Sequence, residues 1–313
     1  MASSERLRAK LAIRTIALGR RLFANTPIQR LPITTAVLKR VFEFGYGDDE
    51  IDISFRGAEL RVPAQDVTIV PGLVGGFYEE IELDLFEAVA AKSSLVVDVG
   101  GNVGVYACLA AMRMPTGRVV TFEPVPANLD YLERNVERNG VSSRVEIVGK
   151  AVSDAAARQP IFLADSIGTH SLSSVSADSK SQIEVDVTTL DAAVGDQPVD
   201  VLKIDIEGFD GHALKGAARL IESRRPTLFV EFVPRSLGAA GFSPEAMIGL
   251  VFDAYERVFV IDEPRGTVEQ ITQSQLLELA AHDGNRNLVA VSNPQHLEAI
   301  RTLLAERLPA RSS

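Results

Sequence analysis

The sequence predicts an α/β domain in which a parallel sheet is covered by helices on both faces. Three observations carry this prediction. The apolar run Leu95 to Val97 ends in Asp98, and a turn with Gly100, Gly101 and Gly104 follows it, then a helical pattern from Val103 to about Met112. A short apolar run bounded by turn residues reads as a buried strand. Strand and helix patterns then alternate along the chain, as a layered sheet with crossover helices requires. Finally, the segment from Val201 to Gly208 places charges on an apolar strand, at the end where open α/β sheets bind ligands.

The elements follow in order. Residues 1–41 carry nine basic side chains and one acid, a net +8, which leaves −18 for the rest of a chain whose total is −10. Leu7, Leu11, Ile13, Ile16, Leu18 and Leu22 alternate with the basic residues as in an amphipathic helix, and Thr34 to Phe44 suggests a second. Residues 1–48 are therefore expected to form a basic helical cap. Docking of residues 1–41 on an anionic membrane surface or an acidic partner is the alternative. Residues 49–77 read as a β-hairpin and lead-in, with strands at 51–55 and 59–62 and a loop at 71–76. Residues 78–298 form the main domain. Its helices are expected at 78–91, 126–139, 208–223 and 243–252, the last with Ser243 as N-cap and Pro244 at its first position. Its strands are expected at 118–122, 144–148, 199–204, 226–232, 257–261 and 287–291. An inserted pair, 161–163 and 183–187, flanks a Ser-rich loop. Residues 299–313 are expected as a fraying tail.

Composition bounds the function. With 46% hydrophobic residues, 24% charged and no Trp, the chain can bury a large, mostly aliphatic core. An acidic body argues against nucleic acid as substrate. Cys108 is the single cysteine and sits in an apolar helical pattern, where core packing is its role. No Cys/His cluster has zinc spacing, and no metal site is assigned. No run of about 18 apolar residues exists to span a membrane. Arg14, Arg20 and Arg21 interrupt any secretory signal, so a cytoplasmic location is expected, with membrane contact, if any, peripheral.

The turn after Val97 reads D-x-G-x-N-x-G over Asp98, Gly100, Asn102 and Gly104. A dinucleotide fingerprint needs a second glycine where Asn102 stands, and a P-loop needs a Gly-Lys pair. The spacing resembles motif I of class I methyltransferases that use S-adenosyl-L-methionine, in which the acid at Asp98 serves the methionine end of the cofactor. Glu123 lies 23 positions after Gly100, close to the spacing of the acid that binds ribose hydroxyls. In methyltransferases of this class a short polar residue near Ser153 and Asp154 meets the adenine amino group, although a surface turn explains the pair equally well. Strand side chains alternate, so Lys203, Asp205 and Glu207 share one face. Buried charges are costly unless paired or functional, and both explanations can hold together.

Residues 78–232 resemble the FkbM family of methyltransferases. The resemblance rests on Tyr78-Glu79, Asp98 to Gly104, Phe122 to Pro124 with Asn128, Leu190-Asp191, Lys203 to Gly208, and Arg225-Pro226 through Glu231, in family order. Gly101 departs from the commoner alanine. The resemblance implies a Rossmann-like class I fold: a seven-stranded, mostly parallel sheet with one late antiparallel strand. It implies S-adenosyl-L-methionine as cofactor, held by Tyr78, Asp98, Gly100, Asn102, Gly104, Glu123, Asn128, Ser153, Asp154 and Asp205. It implies O-methylation of a sugar, glycolipid or polyketide-type small molecule. The hydroxyl proton needs a base, for which Asp205, Glu207, Glu231 and His170 are candidates; metal assistance through Asp205 and Glu207 is an alternative. Two other functions stay open, a nicotinamide-dependent oxidoreductase and a non-catalytic cofactor-binding scaffold. Neither the oligomeric state nor the acceptor's identity is assigned.

Overall fold

The computed structural model describes residues 50–307 apart from 65, 67, 68, 164–180 and 283. The expected basic cap, the Ser-rich loop with His170, and residues 308–313 lie outside the described residues.

The described chain opens with an antiparallel hairpin, β1 (Glu50–Phe55) and β2 (Ala58–Pro63). Arg56 and Gly57 form its turn with φ of 51° and 88°, the left-handed pair that matches strand twist in two-residue hairpins. Where a loop is expected at 71–76, a helix forms instead, α1 (Val70–Gly75). Pro71 suits a first helical turn, left-handed Gly76 closes the last, and Val70 and Leu73 are buried. Next come α2 (Glu80–Ala90), β3 (Leu95–Val99), α3 (Val105–Arg113), β4 (Arg118–Phe122), α4 (Pro126–Arg138) and β5 (Val145–Val148). The inserted pair is part of a separate three-stranded sheet of β6 (Ala151–Val152), β7 (Ala157–Leu163) and β8 (Ser181–Thr188), with β8 central.

After α5 (Leu190–Ala193) and β9 (Val201–Ile204), the single helix expected over 208–223 is two, α6 (Asp210–Lys215) and α7 (Ala218–Arg224). The break is at Gly216, where a Cβ would run into the Ser153 carbonyl oxygen. Then follow β10 (Thr227–Phe232), α8 (Pro234–Ala239), α9 (Pro244–Ala254), β11 (Val258–Asp262), β12 (Thr267–Ile271), α10 (Gln273–Ala280), β13 (Arg286–Ala290) and α11 (Pro294–Arg307). Ser243 caps α9 as expected, accepting from the Ala246 amide.

The main sheet has eight strands in the order β12-β11-β13-β10-β9-β3-β4-β5. From β5 to β10 all neighbours are parallel, and β13 runs antiparallel to both β10 and β11. The mostly parallel sheet and the late antiparallel strand are therefore present, and the expected count of seven is corrected to eight. The extra strand, β12, is an edge strand whose five side chains are all partly exposed, so Thr267 to Ile271 lacks the apolar run or clean alternation that marks a strand in sequence. The sheet divides the core. One side packs against the hairpin, α2, α3 and α4; the other packs against α6, α7 and α9.

Residues 299–307 do not fray as expected: α11 runs through to Arg307. Leu297 and Ile300 are buried, and Arg307 pairs with Glu80 and Asp84 of α2. Fully buried His296 is held between Ser93 Oγ (3.3 Å) and Thr227 Oγ1 (2.8 Å). Among the described residues no helix is long and apolar enough to cross a membrane.

The hairpin is fixed to α4 by side chains that imitate a strand. Asn135 accepts from Arg61 N (2.6 Å) and donates to Arg61 O (2.9 Å) and Val103 O (2.8 Å), while Asn139 does the same for Glu59 N and O at 2.9 Å each. Edge strand β2 thus has its backbone groups satisfied by a helix face. Asn135→Ala would bury those groups unpaired and is expected to cost about 2–3 kcal/mol. An unchanged urea midpoint would show that the asparagines do not hold the hairpin.

Candidate active site

The site forms where β3, β4 and β9 end side by side. Gly100 has φ 93°, and a Cβ there would collide with the Asp205 carbonyl oxygen. Glycine is thus required for the turns after β3 and β9 to close together. Asn102 takes a left-handed φ of 47°, which its short amide tolerates. Gly104, φ 89°, is the cap residue of α3 and packs against Leu132.

Two cavities meet at this point, sharing Gly100, Asn102, Asp205 and Glu207 as walls. One is a narrow cleft of about 60 Å³ with largely apolar walls, among them Val125, Val152, Ile161 and Phe209, and with Glu123, Asn128 and Lys150 as further polar lining. The other is a polar cavity of about 260 Å³ walled by Tyr78, Glu79, Tyr106, Lys203 and Glu231 in addition to the shared residues.

In the cleft, Glu123 ends β4 with its carboxylate almost fully buried. Oε2 accepts from Asn102 N (2.8 Å) and Oε1 from Val125 N (2.9 Å), so this one side chain ties the glycine turn to the start of α4. Burial pushes Glu123 up to about 7, against the opposing effect of those amides and of Asn128. Asn102 Oδ1 and Asp98 Oδ1 are buried without a hydrogen-bond partner among the described residues.

In the polar cavity, Lys203 is 2% exposed. Its ammonium lies 3.0 Å from Asp205 Oδ2 and 4.2 Å from the centre of the Tyr106 ring. Burial pulls its proton affinity down, but Asp205, Asp98, Glu79 and Glu82 together raise it above the ordinary lysine value. It is the only cation in the cavity wall among the described residues. The strand alternation expected through Glu207 stops at Ile204, where β9 ends. Lys203, Asp205 and Glu207 nonetheless wall one cavity, because left-handed Glu207 (φ 53°) and Gly208 (φ 94°) fold the turn back. Asp210 holds that turn by accepting from Ile206 N (3.3 Å) and Gly208 N (3.0 Å). Burial, followed by the charges of Asp205 and Asp210, pushes Glu207 up to about 8. Burial raises Glu231 well above the carboxylate range, and Asp205 adds to this.

Of the residues expected from sequence, Tyr78, Gly100, Asn102, Glu123, Asn128, Asp205, Glu207 and Glu231 stand on these walls. Asp98 does not: it is 1% exposed beneath them, accepting from Thr121 Oγ1 at 3.1 Å. Ser153 and Asp154 lie just past the cleft-lining Ala151 and Val152, and Asp154 instead holds Lys215 of α6 at 2.8 Å. His170 lies outside the described residues. Among the described residues, no three His, Cys, Asp or Glu side chains are arranged to hold a metal ion.

Sequence reasoning assigns no role to Glu79, Glu82, Tyr106 or Glu263. Tyr106 donates to Glu79 Oε2 (2.6 Å) and approaches Glu82 Oε1 (3.1 Å), and Glu82 also accepts from Asn287. Burial, Glu82 and Asp205 push Glu79 up to about 8. Glu263 accepts from Ile81 N (2.9 Å) and Glu82 N (2.8 Å) at the start of α2, and burial raises it to about 7. The Tyr78-Glu79 pair and Tyr106 beside Gly104 were available signals. Glu263, 182 residues from its partner Ile81, offers none.

Comparison with known proteins places this geometry. Residues 98–257 match the Methyltransferase FkbM domain. Methyltransferase 1 of Beauveria bassiana is 27% identical over 164 residues, 44% of this chain and 65% of that protein. Methyltransferase sdnD of Sordaria araneosa is 30% identical over 86 residues, 27% of this chain and 33% of that protein. The chain thus spans less than two thirds of either relative. A crystal structure of methyltransferase FkbM from Methylobacillus flagellatus superposes with a TM-score of 0.40 at 18% identity, covering 71% of this chain and 54% of that one.

Proposed function

The chain belongs to the FkbM methyltransferase family, and from that premise we propose that it transfers a methyl group to a hydroxyl of a small-molecule acceptor. The family's cofactor is S-adenosyl-L-methionine. The observation that carries the reading is the pair of joined cavities, one mostly apolar and slot-like, the other polar, meeting at Gly100 and Asn102.

The residues present fit this cofactor. The partnerless Oδ1 of Asn102 sits where the cavities join, an acceptor atom awaiting a donor. Val125, Val152 and Phe209 would take the adenine ring, and Glu123 and Asn128 the ribose hydroxyls. Tyr78, Asn102 and Asp205 would hold the methionine end. Asp98 acts from below, through its charge on Lys203. Gly104 shapes the turn, and Ser153 with Asp154 shapes the cleft's far side. When bound, the cofactor supplies a sulfonium methyl for in-line displacement, so the protein's task is to align the acceptor and take its proton.

Carboxyl groups dominate the polar cavity, and Lys203, the cation in its wall, is already paired with Asp205. Such a wall suits a neutral hydroxyl compound, and the ammonium of the cofactor's methionine end, better than a phosphorylated acceptor. The nicotinamide alternative finds no added support, since Asn102 stands where a dinucleotide fold needs its second glycine.

The experiment is calorimetric binding of S-adenosylhomocysteine, followed by incubation of labelled S-adenosyl-L-methionine with a cell extract. Glu123→Ala is expected to weaken binding about 100-fold, because it removes both a ribose partner and the amide clamp on the turn, losing on the order of 3 kcal/mol. Asp205→Asn should retain most of the affinity; equal losses in both variants would refute this division. Label in the lipid fraction would identify a glycolipid acceptor and give residues 1–41 a membrane-facing role. Label in the aqueous fraction would identify a free sugar or polyketide-type product. A folded protein that binds no S-adenosylhomocysteine would defeat the reading.

A further inference from the structure

We propose that Glu79 is the base that takes the acceptor's hydroxyl proton, and that Tyr106 and Glu82 carry the proton onward. This rests on the methyl-transfer reading above.

Position separates Glu79 from two of the carboxylates expected from sequence, Asp205 and Glu207. Asp205 and Glu207 wall both cavities, so they stand at the cofactor's junction, and Asp205 is already bonded to the Lys203 ammonium at 3.0 Å. Glu79 lines only the polar cavity, as Glu231 does, and of the two it is Glu79 that the Tyr106 hydroxyl bonds, at 2.6 Å.

The backbone shows that this placement is built. Glu79 is the cap residue of α2, with φ 40° and ψ 49° and no side-chain capping bond. Left-handed backbone at a non-glycine costs about 1–3 kcal/mol and persists only where the surroundings enforce it. Here the capping task has passed to Glu263, which accepts from the Ile81 and Glu82 amides. The Glu79 side chain is thereby turned toward the cavity rather than back onto its own helix.

The chemistry is continuous from there. As the acceptor oxygen bonds the methyl carbon, the carbon–sulfur electron pair returns to sulfur and the hydroxyl proton passes to Glu79. One positive charge is lost at sulfur and one negative charge at the carboxylate, so the step balances. Tyr106, 2.6 Å from Glu79 and 3.1 Å from Glu82, can accept a proton from the first while giving its own to the second. It ends the step unchanged, and no water is required. The charged and titratable groups facing Glu79 are its neighbour Tyr78, Glu82 on its own helix, Tyr106 from α3, Lys203 and Asp205 from the end of β9, Glu231 from β10, and Glu263 from the turn after β11. Burial and the surrounding carboxylates outweigh Lys203 and bring Glu79 to about 8, close to the proton affinity a base near neutrality needs.

The test compares wild type, Glu79→Gln, Glu79→Asp, Tyr106→Phe and Glu207→Gln. Three readouts are used: label transfer from S-adenosyl-L-methionine into cell extract between pH 6 and 9, calorimetric S-adenosylhomocysteine binding, and carboxyl ¹³C NMR of the unliganded protein. Glu79→Gln should lower transfer at least about 100-fold, abolish the limb that rises toward pH 8, and change S-adenosylhomocysteine affinity by less than about threefold. Glu79→Asp should restore part of the rate, and Tyr106→Phe should lower it about tenfold. A carboxyl resonance titrating near 8 should vanish in Glu79→Gln. Wild-type rate and pH limb in Glu79→Gln, loss of the limb only in Glu207→Gln, or Glu79 titrating in the ordinary carboxylate range would each overturn the proposal. Failure of wild type itself to bind S-adenosylhomocysteine or transfer label would instead defeat the transferase reading.

Discussion

Lys203→Met is expected to lower the unfolding free energy by about 3–5 kcal/mol, the usual cost of leaving buried charges without their partner. Methionine keeps the length and apolar stem of the side chain, so the loss reports the charge rather than a cavity. The Lys203 ammonium is 3.0 Å from Asp205 and faces Asp98, Glu79 and Glu82. Without it these carboxyls must ionise in a buried site or stay protonated. The folded state holds the Lys203 proton more tightly than an unfolded chain would, so its stabilisation is fully present below pH 10.5, the unperturbed value. Any decline in the mutational cost on acidification must therefore come from the carboxyls. Urea unfolding at pH 7.5 and 5.5 reads both: the loss should be large at the higher pH and clearly smaller at the lower. Equal stability of mutant and wild type at pH 7.5 would show that the cation does not hold this site together.

The unliganded protein should be more stable near pH 5.5 than near pH 8.5, by a few kcal/mol. Burial raises Glu82, Glu123 and Asp210 to about 7, and Glu79 and Glu207 to about 8. In an unfolded chain these groups titrate near 4. Between the two ranges the folded state binds more protons than the unfolded state, so stability falls as pH rises through the window. A tenfold difference in proton affinity between folded and unfolded chain corresponds to about 1.4 kcal/mol. The groups share one cavity and interact, so their effects do not add. Chemical denaturation from pH 5 to 9 checks the sign. His296 opposes the trend at the acid end: burial lowers it below 6.5, and stability is lost as pH falls below that value and the unfolded imidazole takes up its proton. One imidazole offsets only part of the effect of five carboxyls, so a net fall from pH 5.5 to pH 8.5 is expected, and stability rising steadily from pH 6 to pH 9 would contradict the assignment of these carboxyls to buried positions.

Much of the fold can be read from local pattern. The apolar strands β3, β4, β9 and β10 are legible because each is buried on both faces and bounded by turn residues. The Ser243 cap and the glycine turn are legible because their chemistry is short-range. Errors fall where local signal and tertiary environment part. Helix α1 looks like a loop because Pro71 and its glycines read as breakers, yet they occupy its first turn, its end and a site of close packing. Strand β12 pairs, among the described residues, with β11 alone, and the C-terminal helix is fixed by burial against α2.

For the site, the sequence alone determined the turns that line the two cavities. The turn from Asp98 to Gly104, the acid at Glu123 and the charged end of β9 are each short-range patterns, because a turn and its glycines are local objects. Tertiary structure alone decided how charge is distributed around them. It buried Asp98 beneath the walls, turned Asp154 to Lys215, brought Glu79, Tyr106 and Glu82 around Lys203, and set Glu263 on the start of α2. Proton affinity depends on burial and on charges brought close in space, and α2, α3, β9 and the turn after β11 meet only when the sheet is assembled. The glycine turn thus marks where the cavities join, and the folded sheet sets the proton affinity of each carboxyl around them.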